Sequence, residues 1–153
     1  MNPQDHLVNT GEGVRLAIPP NWRRNAVVVF SNGQEGEEGA SVVVRRETLE
    51  PRVTLEQYMD GLLVELARTL PEFAILDRRR RMLDDKPALE FLYTLTAKGT
   101  EYEQRQICTL DMAGSVLSIV MSSTKKQARS YQVLWEGVLD SVILTQPAEP
   151  RRD

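Results

Sequence analysis

Few side chains in this sequence are equipped for chemistry, and they are scattered. His6 is the only histidine and lies in a polar N-terminal stretch, so no histidine triad, histidine pair or zinc site can be assembled within one chain. Cys108 is the only cysteine; it falls in the strand-like run "EQRQIC" and reads as a small, half-buried side chain. Asp84 and Asp85 occupy the turn "DDKP", where carboxylates bond nearby backbone amides more readily than a metal. The glycine-rich stretch "NGQEGEEG" lacks the Gly-Lys-Ser/Thr ending of a phosphate loop and carries acid where phosphate needs base. The residues therefore predict no catalytic group, no metal site and no cofactor. An enzyme would require Asp84, Asp85 or the run Arg78–Arg81 to gather with other ionisable groups in a pocket.

That arginine run asks to be placed in a structure. Alternation in an extended strand sends two of its cations to each side, which halves any phosphate-binding patch. Asp77, Asp84 and Asp85 dilute it further. A charged edge strand that resists sheet-to-sheet aggregation is the cheaper explanation, with partner recognition as the alternative.

The elements that position these residues follow from periodicity and punctuation. Three strands are predicted first: Val14 to Ile18, stopped by Pro19 and Pro20, then Ala26 to Ser31 and Ala40 to Arg46 around the acidic glycine loop. Thr54 opens a helix as one half of a capping box with Gln57. Its stripe is Leu55, Tyr58, Met59, Leu62, Leu63, Leu66 and Leu70, and Pro71 ends it. Four strands follow, near Phe73 to Leu83, Ala88 to Ala97, Tyr102 to Leu110 and Ser115 to Ser122. A last helix is predicted from a second capping pair, Thr124 and Gln127, with Tyr131, Leu134, Trp135, Val138, Leu139 and Val142 buried. Short links favour antiparallel pairing, so the order β-β-β-α-β-β-β-β-α predicts an α+β fold, an antiparallel sheet with two packed helices.

Bulk properties narrow the function. The 153 residues suit a single domain, taken as 1–146 with a flexible tail at 147–153. A net charge of -3 gives no field for broad nucleic-acid binding. The N-terminal stretch has no basic patch followed by an apolar run, and no segment approaches the roughly 18 to 20 apolar residues of a membrane span. The expectation is a cytoplasmic protein that does not itself insert into membrane.

One feature is left over. Strands two and three are apolar on both faces: if Val28, Phe30, Val42 and Val44 face a core, then Val27, Val29 and Val43 face away from it. Such a patch sits under a helix of its own chain, packs in a homodimer, or receives an apolar ligand.

The segments "LAIPPNW" (16–22), "TLEQYMDGLLVELARTLPEF" (54–73) and "LWEGVLDSV" (134–142), in this order and spacing, resemble the DcrB-like family, whose fold is PsbP-like; the resemblance runs from about Val14 to Ile143. Within that family, a chain with neither export signal nor lipid-anchor cysteine is similar to the cytoplasmic Eag chaperones of bacterial type VI secretion. The resemblance implies a homodimer that holds the N-terminal transmembrane helices of PAAR-containing or Rhs effectors before export. It implies binding by Val27 and Val29, with Ala26, Val28 and Phe30 in alternate positions, by Val43, and by Gln106 in the Arg-Gln pair of "EQRQIC". The acidic loop from Gly33 to Gly39 is long for the family. The alternative is a PsbP-like binding or structural module acting on a soluble protein partner.

Overall fold

The computed structural model describes residues 7–20, 22, 25–33, 39–111 and 114–145. His6, the body of the acidic loop and the tail from Pro147 lie outside them. Two compact units are present, one of Met1–Arg24 with Thr145–Asp153 and one of Asn25–Leu144.

In the first unit, β1 (Leu7–Asn9) pairs antiparallel with β2 (Arg15–Ala17). Thr10 closes the hairpin: its amide and its hydroxyl both donate to Val14 O, at 3.0 and 2.9 Å. The expected first strand is thus real but short. It belongs to a two-stranded sheet of its own, with a partner, Leu7–Asn9, too short to announce itself in the sequence.

The second unit holds β3 (Ala26–Ser31), β4 (Ser41–Thr48), α1 (Leu55–Thr69), β5 (Ala74–Leu83), β6 (Lys86–Ala97), β7 (Thr100–Leu110), β8 (Ser115–Thr124) and α2 (Ala128–Asp140). The six strands form one sheet in the order β3-β4-β8-β7-β6-β5, every neighbouring pair antiparallel. This is the α+β architecture expected. The meander from β5 to β8 returns to β4, so the chain leaving β4 must first cross one face of the sheet to reach the far edge. α1 lies on that route and packs over β6 and β7.

Local chemistry explains the elements. Thr54 and Gln57 form the reciprocal box, Thr54 Oγ1 accepting from Gln57 N at 3.1 Å and Gln57 Oε1 from Thr54 N at 2.9 Å. The α1 stripe buries Met59 and Leu63 against Leu89, Phe91, Tyr93, Leu95, Cys108 and Val116. On the opposite face, Trp135 and Leu139 of α2 cover Leu83, Ala88, Ile107, Ile119 and Met121, with Val42 and Val44 packed against them. The hairpin between β3 and β4 is drawn tight by Asn32, whose side-chain oxygen accepts from Ala40 N at 2.8 Å. A Cβ on Gly39 would lie 2.7 Å from Gly33 backbone, so only glycine fits there.

Two expectations for α2 need correcting. Thr124 does not cap it: Thr124 remains in the ladder opposite Tyr102, a turn intervenes, and Gln127 occupies the cap position without a side-chain capping bond, its Oε1 accepting from Thr124 Oγ1 at 3.4 Å instead. Leu134 is not buried but about half exposed, at the edge of the apolar stripe.

The arginine run lies on β5, an edge of the sheet, and alternation divides it as expected. Arg78 and Arg80 reach Asp60 and Glu56 of α1, at 2.7 and 3.8 Å, while Arg79 and Arg81 meet Glu90 and Glu136 on the α2 side. The acids that answer the run are thus these four, rather than Asp84 and Asp85. Those two form the β5–β6 turn at positive φ, and Asp84 accepts from the distant Leu144 N.

Candidate functional site

In an antiparallel sheet, residues directly opposite each other share a face, so the register alone collects a surface. Val29 lies opposite Val43, Val43 opposite Val120, Val120 opposite Gln106, and Gln106 opposite Phe91. Three of the four binding residues drawn from the resemblance thus occupy one row across the sheet, on the face that carries α1. The fourth, Val27, lies two residues along β3 from Val29, beside Arg45, Ser118 and Cys108 in the neighbouring row.

The row changes character along its length. Phe91 is fully buried under α1, Gln106 is 6% exposed, Val120 and Val43 are half-buried, and Val29 and Val27 are 60% and 51% exposed. α1 therefore covers β6, β7 and the Val116–Ser118 end of β8, and leaves β3 and the Val43–Val120 stretch of β4 and β8 more open. Ser31, Ser41, Ser122 and Gln104 form the next row on the far side, so valines in a strip are bordered by small polar groups. Where the strip meets α1, a cleft of about 340 Å³ opens, lined by Arg45, Glu47, Gln57, Tyr58, Gly61, Leu62, Gln106 and Ser118. That volume lies in the range of sites that take a ligand group.

Gln106 sits at its floor with weak partners. Tyr93 OH donates to Gln104 at 2.6 Å, and the same hydroxyl lies at 3.3 Å from Gln106 Oε1; Gln106 Nε2 meets only Cys108 Sγ, at 3.8 Å. One hydroxyl proton cannot serve two acceptors fully, so the Gln106 amide keeps unused capacity. Tyr58 donates to Glu47 at 3.0 Å across the cleft mouth. Burial, then the neighbouring carboxylate, pushes its phenol up, so it remains a neutral donor. Cys108 is fully buried rather than half-buried, and burial pushes its thiol up to about 11.

Val120 in the row, and Tyr58, Arg45 and Glu47 as lining of the cleft, were not anticipated. The alternation Ser118, Val120, Ser122 on one face of β8 carried the only signal for Val120, and it required the register. On the other face of β3, Val28 and Phe30 are 44% and 62% exposed, so among the described residues β3 is exposed on both sides.

A second cluster concerns the arginine run. Glu90, 3% exposed, is gripped by Arg79, Arg81 and Arg105, and Glu136 of α2 closes the group. Burial opposes ionisation of Glu90, but the hydrogen bonds from Arg79 and Arg81 and the charge of Arg105 outweigh it and hold its pKa below the usual value. The adjoining cavity measures about 70 Å³, far below the roughly 300 Å³ at which small-molecule sites begin. The cluster clamps α2 to the sheet. Among the described residues no group of three or more His, Cys, Asp or Glu could hold a metal ion, and no helix is long and apolar enough to cross a membrane.

This architecture is found in known proteins of the PsbP-like α+β class. Cyanobacterial PsbP (CyanoP) from Synechocystis sp. PCC 6803 superposes with a TM-score of 0.54 at 14% identity, covering 90% of this chain and 89% of that one. The chain belongs to the DcrB family, whose model matches residues 12–141. PA94 of Pseudomonas aeruginosa, a protein of unknown function, is similar in structure at a TM-score of 0.73 and 19% identity, over 94% of this chain and 99% of that one. LpqN of Mycobacterium tuberculosis, involved in cell envelope biogenesis, aligns at a TM-score of 0.55 and 12% identity, over 71% of this chain and 65% of that one. No curated protein matches the chain in sequence.

Proposed function

We propose that this protein is a chaperone of the Eag type, a cytoplasmic homodimer without catalytic activity. It shields the N-terminal transmembrane helices of a PAAR-containing or Rhs effector of type VI secretion before export. The observation that carries the reading is the row Val29–Val43–Val120, apolar and increasingly exposed away from α1, which ends at the nearly buried Gln106. A membrane helix in water exposes a continuous apolar surface; a valine strip removes part of it from water, at roughly 1.5 kcal/mol or more for each valine fully buried. The cleft at the foot of α1 then offers the spare amide of Gln106 to a polar side chain or an unpaired carbonyl of the helix. Release needs no nucleotide, only a better apolar environment at the target membrane.

The test is co-expression of the full chain with an effector N-terminus containing apolar stretches of about 20 residues. A soluble complex is expected from the wild type, and none from Val27→Asp or Val43→Asp, with the far-ultraviolet circular dichroism and the melting curve of the chaperone retained. Charged variants that still hold the client overturn the assignment of this face. Capture of a soluble partner with no such stretch supports the binding-module alternative instead.

A further inference from the structure

One charge stands in the open valine strip. Arg45 of β4 lies directly opposite Val27 of β3 and Ser118 of β8, and two residues from Val43 on the same face. It is exposed, and among the described residues no hydrogen bond or ion pair engages its guanidinium. The arginines of β5 on this face differ: Arg78 and Arg80 are paired with Asp60 and Glu56 of α1. Glu47, the next residue of β4 on the α1 side, is the acid nearest in the register, but its carboxylate accepts from Tyr58 OH at 3.0 Å. Arg45 also lines the cleft at the foot of α1, together with Gln106 and Gly61. Glycine is unfavourable in a helix interior, and a Cβ on Gly61 would meet nothing within 4 Å. Packing within the chain therefore does not require that glycine, and its missing side chain leaves the α1 wall of the cleft bare.

A helix that covers Val27 and Val43 also covers Arg45, because the register sets the three side by side. Taking a guanidinium out of water without a partner opposes binding, whereas a carboxylate brought by the occupant turns the same group into an anchor. A wholly apolar segment is disfavoured on this strip for that reason. We propose that Arg45 and the cleft beside it form an anchor site for a carboxylate of the client segment, an Asp or Glu within its apolar stretch. The proposal rests on the chaperone reading above and adds what the client must bring besides apolar surface. A planar guanidinium receives a carboxylate through two parallel N–H···O bonds, a geometry that a neutral side chain does not reproduce. Gln106 Nε2, which meets only Cys108 Sγ at 3.8 Å, is then left for a neutral acceptor of the same helix. Acids are rare in membrane segments and sit where a partner neutralises them. A single carboxylate thus distinguishes one apolar helix from many of similar length and hydrophobicity.

Titration of the full chain with three synthetic helices tests this. Each is a Lys-flanked Leu-Ala segment of about 20 residues, and they differ only at the central position, which is Glu, Gln or Lys. At neutral pH and low salt the Glu helix should bind roughly tenfold tighter than the Gln helix, as a charge-assisted pair does, and the Lys helix most weakly. Arg45→Gln should erase the preference, Arg45→Lys should retain part of it, and Arg45→Glu should transfer it to the Lys helix. Gly61→Leu, which fills the bare wall, should weaken the Glu helix more than the Gln helix without lowering the melting temperature. Equal affinity for the Glu and Gln helices overturns the proposal, as does a preference that survives Arg45→Gln. A preference that emerges only in Glu47→Gln overturns it too, since Arg45 is then neutralised within its own chain. Octanoate binding as tightly as the Glu helix would assign the cleft to a small carboxylic acid and remove the client anchor. Equal binding that Val43→Asp abolishes removes the anchor and leaves the chaperone reading standing, whereas a chain that takes up none of the helices removes both.

Discussion

The α1 side of the sheet consists of two halves made from similar residues and put to opposite uses. Over β6 and β7, Phe91, Tyr93 and Leu89 are sealed under Met59 and Leu63. Over β3, β4 and β8, Val27, Val29, Val43 and Val120 occupy the same face, and the two valines of β3 are more than half exposed. Hydrophobicity does not separate the halves, because valine is as much a core residue as leucine. What separates them is connectivity: the segment from β4 to β5 must cross the sheet, and one helix covers only about 10 Å of it, roughly two strand spacings. The remaining strands are left for something else to cover.

The contrast can be broken by mutation. Phe91→Ala should cost about 3–5 kcal/mol in urea unfolding, since it removes a ring from the covered half and leaves a cavity beneath α1. Val29→Asp, in the same row, should stay within about 0.5 kcal/mol of the wild type under conditions that keep it monomeric, as exposed substitutions do. Equal losses at the two positions would mean that the halves are not different, and that the valine strip is core.

The α2 side offers a second contrast, between apolar and ionic cover. Glu90 is the acid whose residue is buried most completely in the described structure, and three guanidinium groups hold it ionised. Glu90→Gln strands buried positive charge and should cost about 3 kcal/mol at pH 7. The sign of the pH dependence follows from linkage. The folded pKa lies below the unfolded value of about 4.3, so the stability Glu90 contributes is present above that value and is lost as pH falls through the folded pKa. The difference in unfolding free energy between wild type and Glu90→Gln should therefore shrink on acidification below about pH 4. A difference that stays constant to pH 2 would remove ionic pairing as its cause.

Much of this was legible in the sequence, for identifiable reasons. β3 was read to the residue because Asn25 and Asn32 punctuate a pure β-former run, and α1 because its capping box and leucine stripe agree. The split of Arg78–Arg81 between two faces needed only alternation. The second capping pair failed because Thr124 and Gln127 satisfy the same spacing rule, but the β7–β8 ladder claims Thr124 first; tertiary pairing outranks a local motif. Strand β1 was missed because three residues, Leu7–Asn9, are too few to show a periodicity. Val27, Val29, Val43 and Gln106 come from the resemblance, and the register places them on one face of the sheet. Their alignment with Val120 was not readable, because it depends on β8 returning beside β4 after four intervening elements. The clamp around Glu90 escaped for the same reason: its members are spread from Arg79 to Glu136.

The smallest effect sharpens the contrast most, because it falls where the halves meet. Gln106 is almost buried, yet its amide is poorly used: Tyr93 prefers Gln104, and a thiol pushed up to about 11 is a weak acceptor. A buried amide with saturated bonds would cost the fold 1–3 kcal/mol on removal. Here Gln106→Ala should cost the fold well under that, because Tyr93 retains Gln104 and the space opens into the cleft rather than into a sealed void. Client affinity should fall about fivefold, the equivalent of one net hydrogen bond of about 1 kcal/mol, measured by titrating a detergent-free complex with unlabelled effector segment. Gln106→Leu separates the two contributions, since it restores apolar volume without the amide. If Leu recovers the affinity, the cleft recognises shape and the hydrogen bond is not the reason a glutamine stands at the boundary between the covered and the open halves.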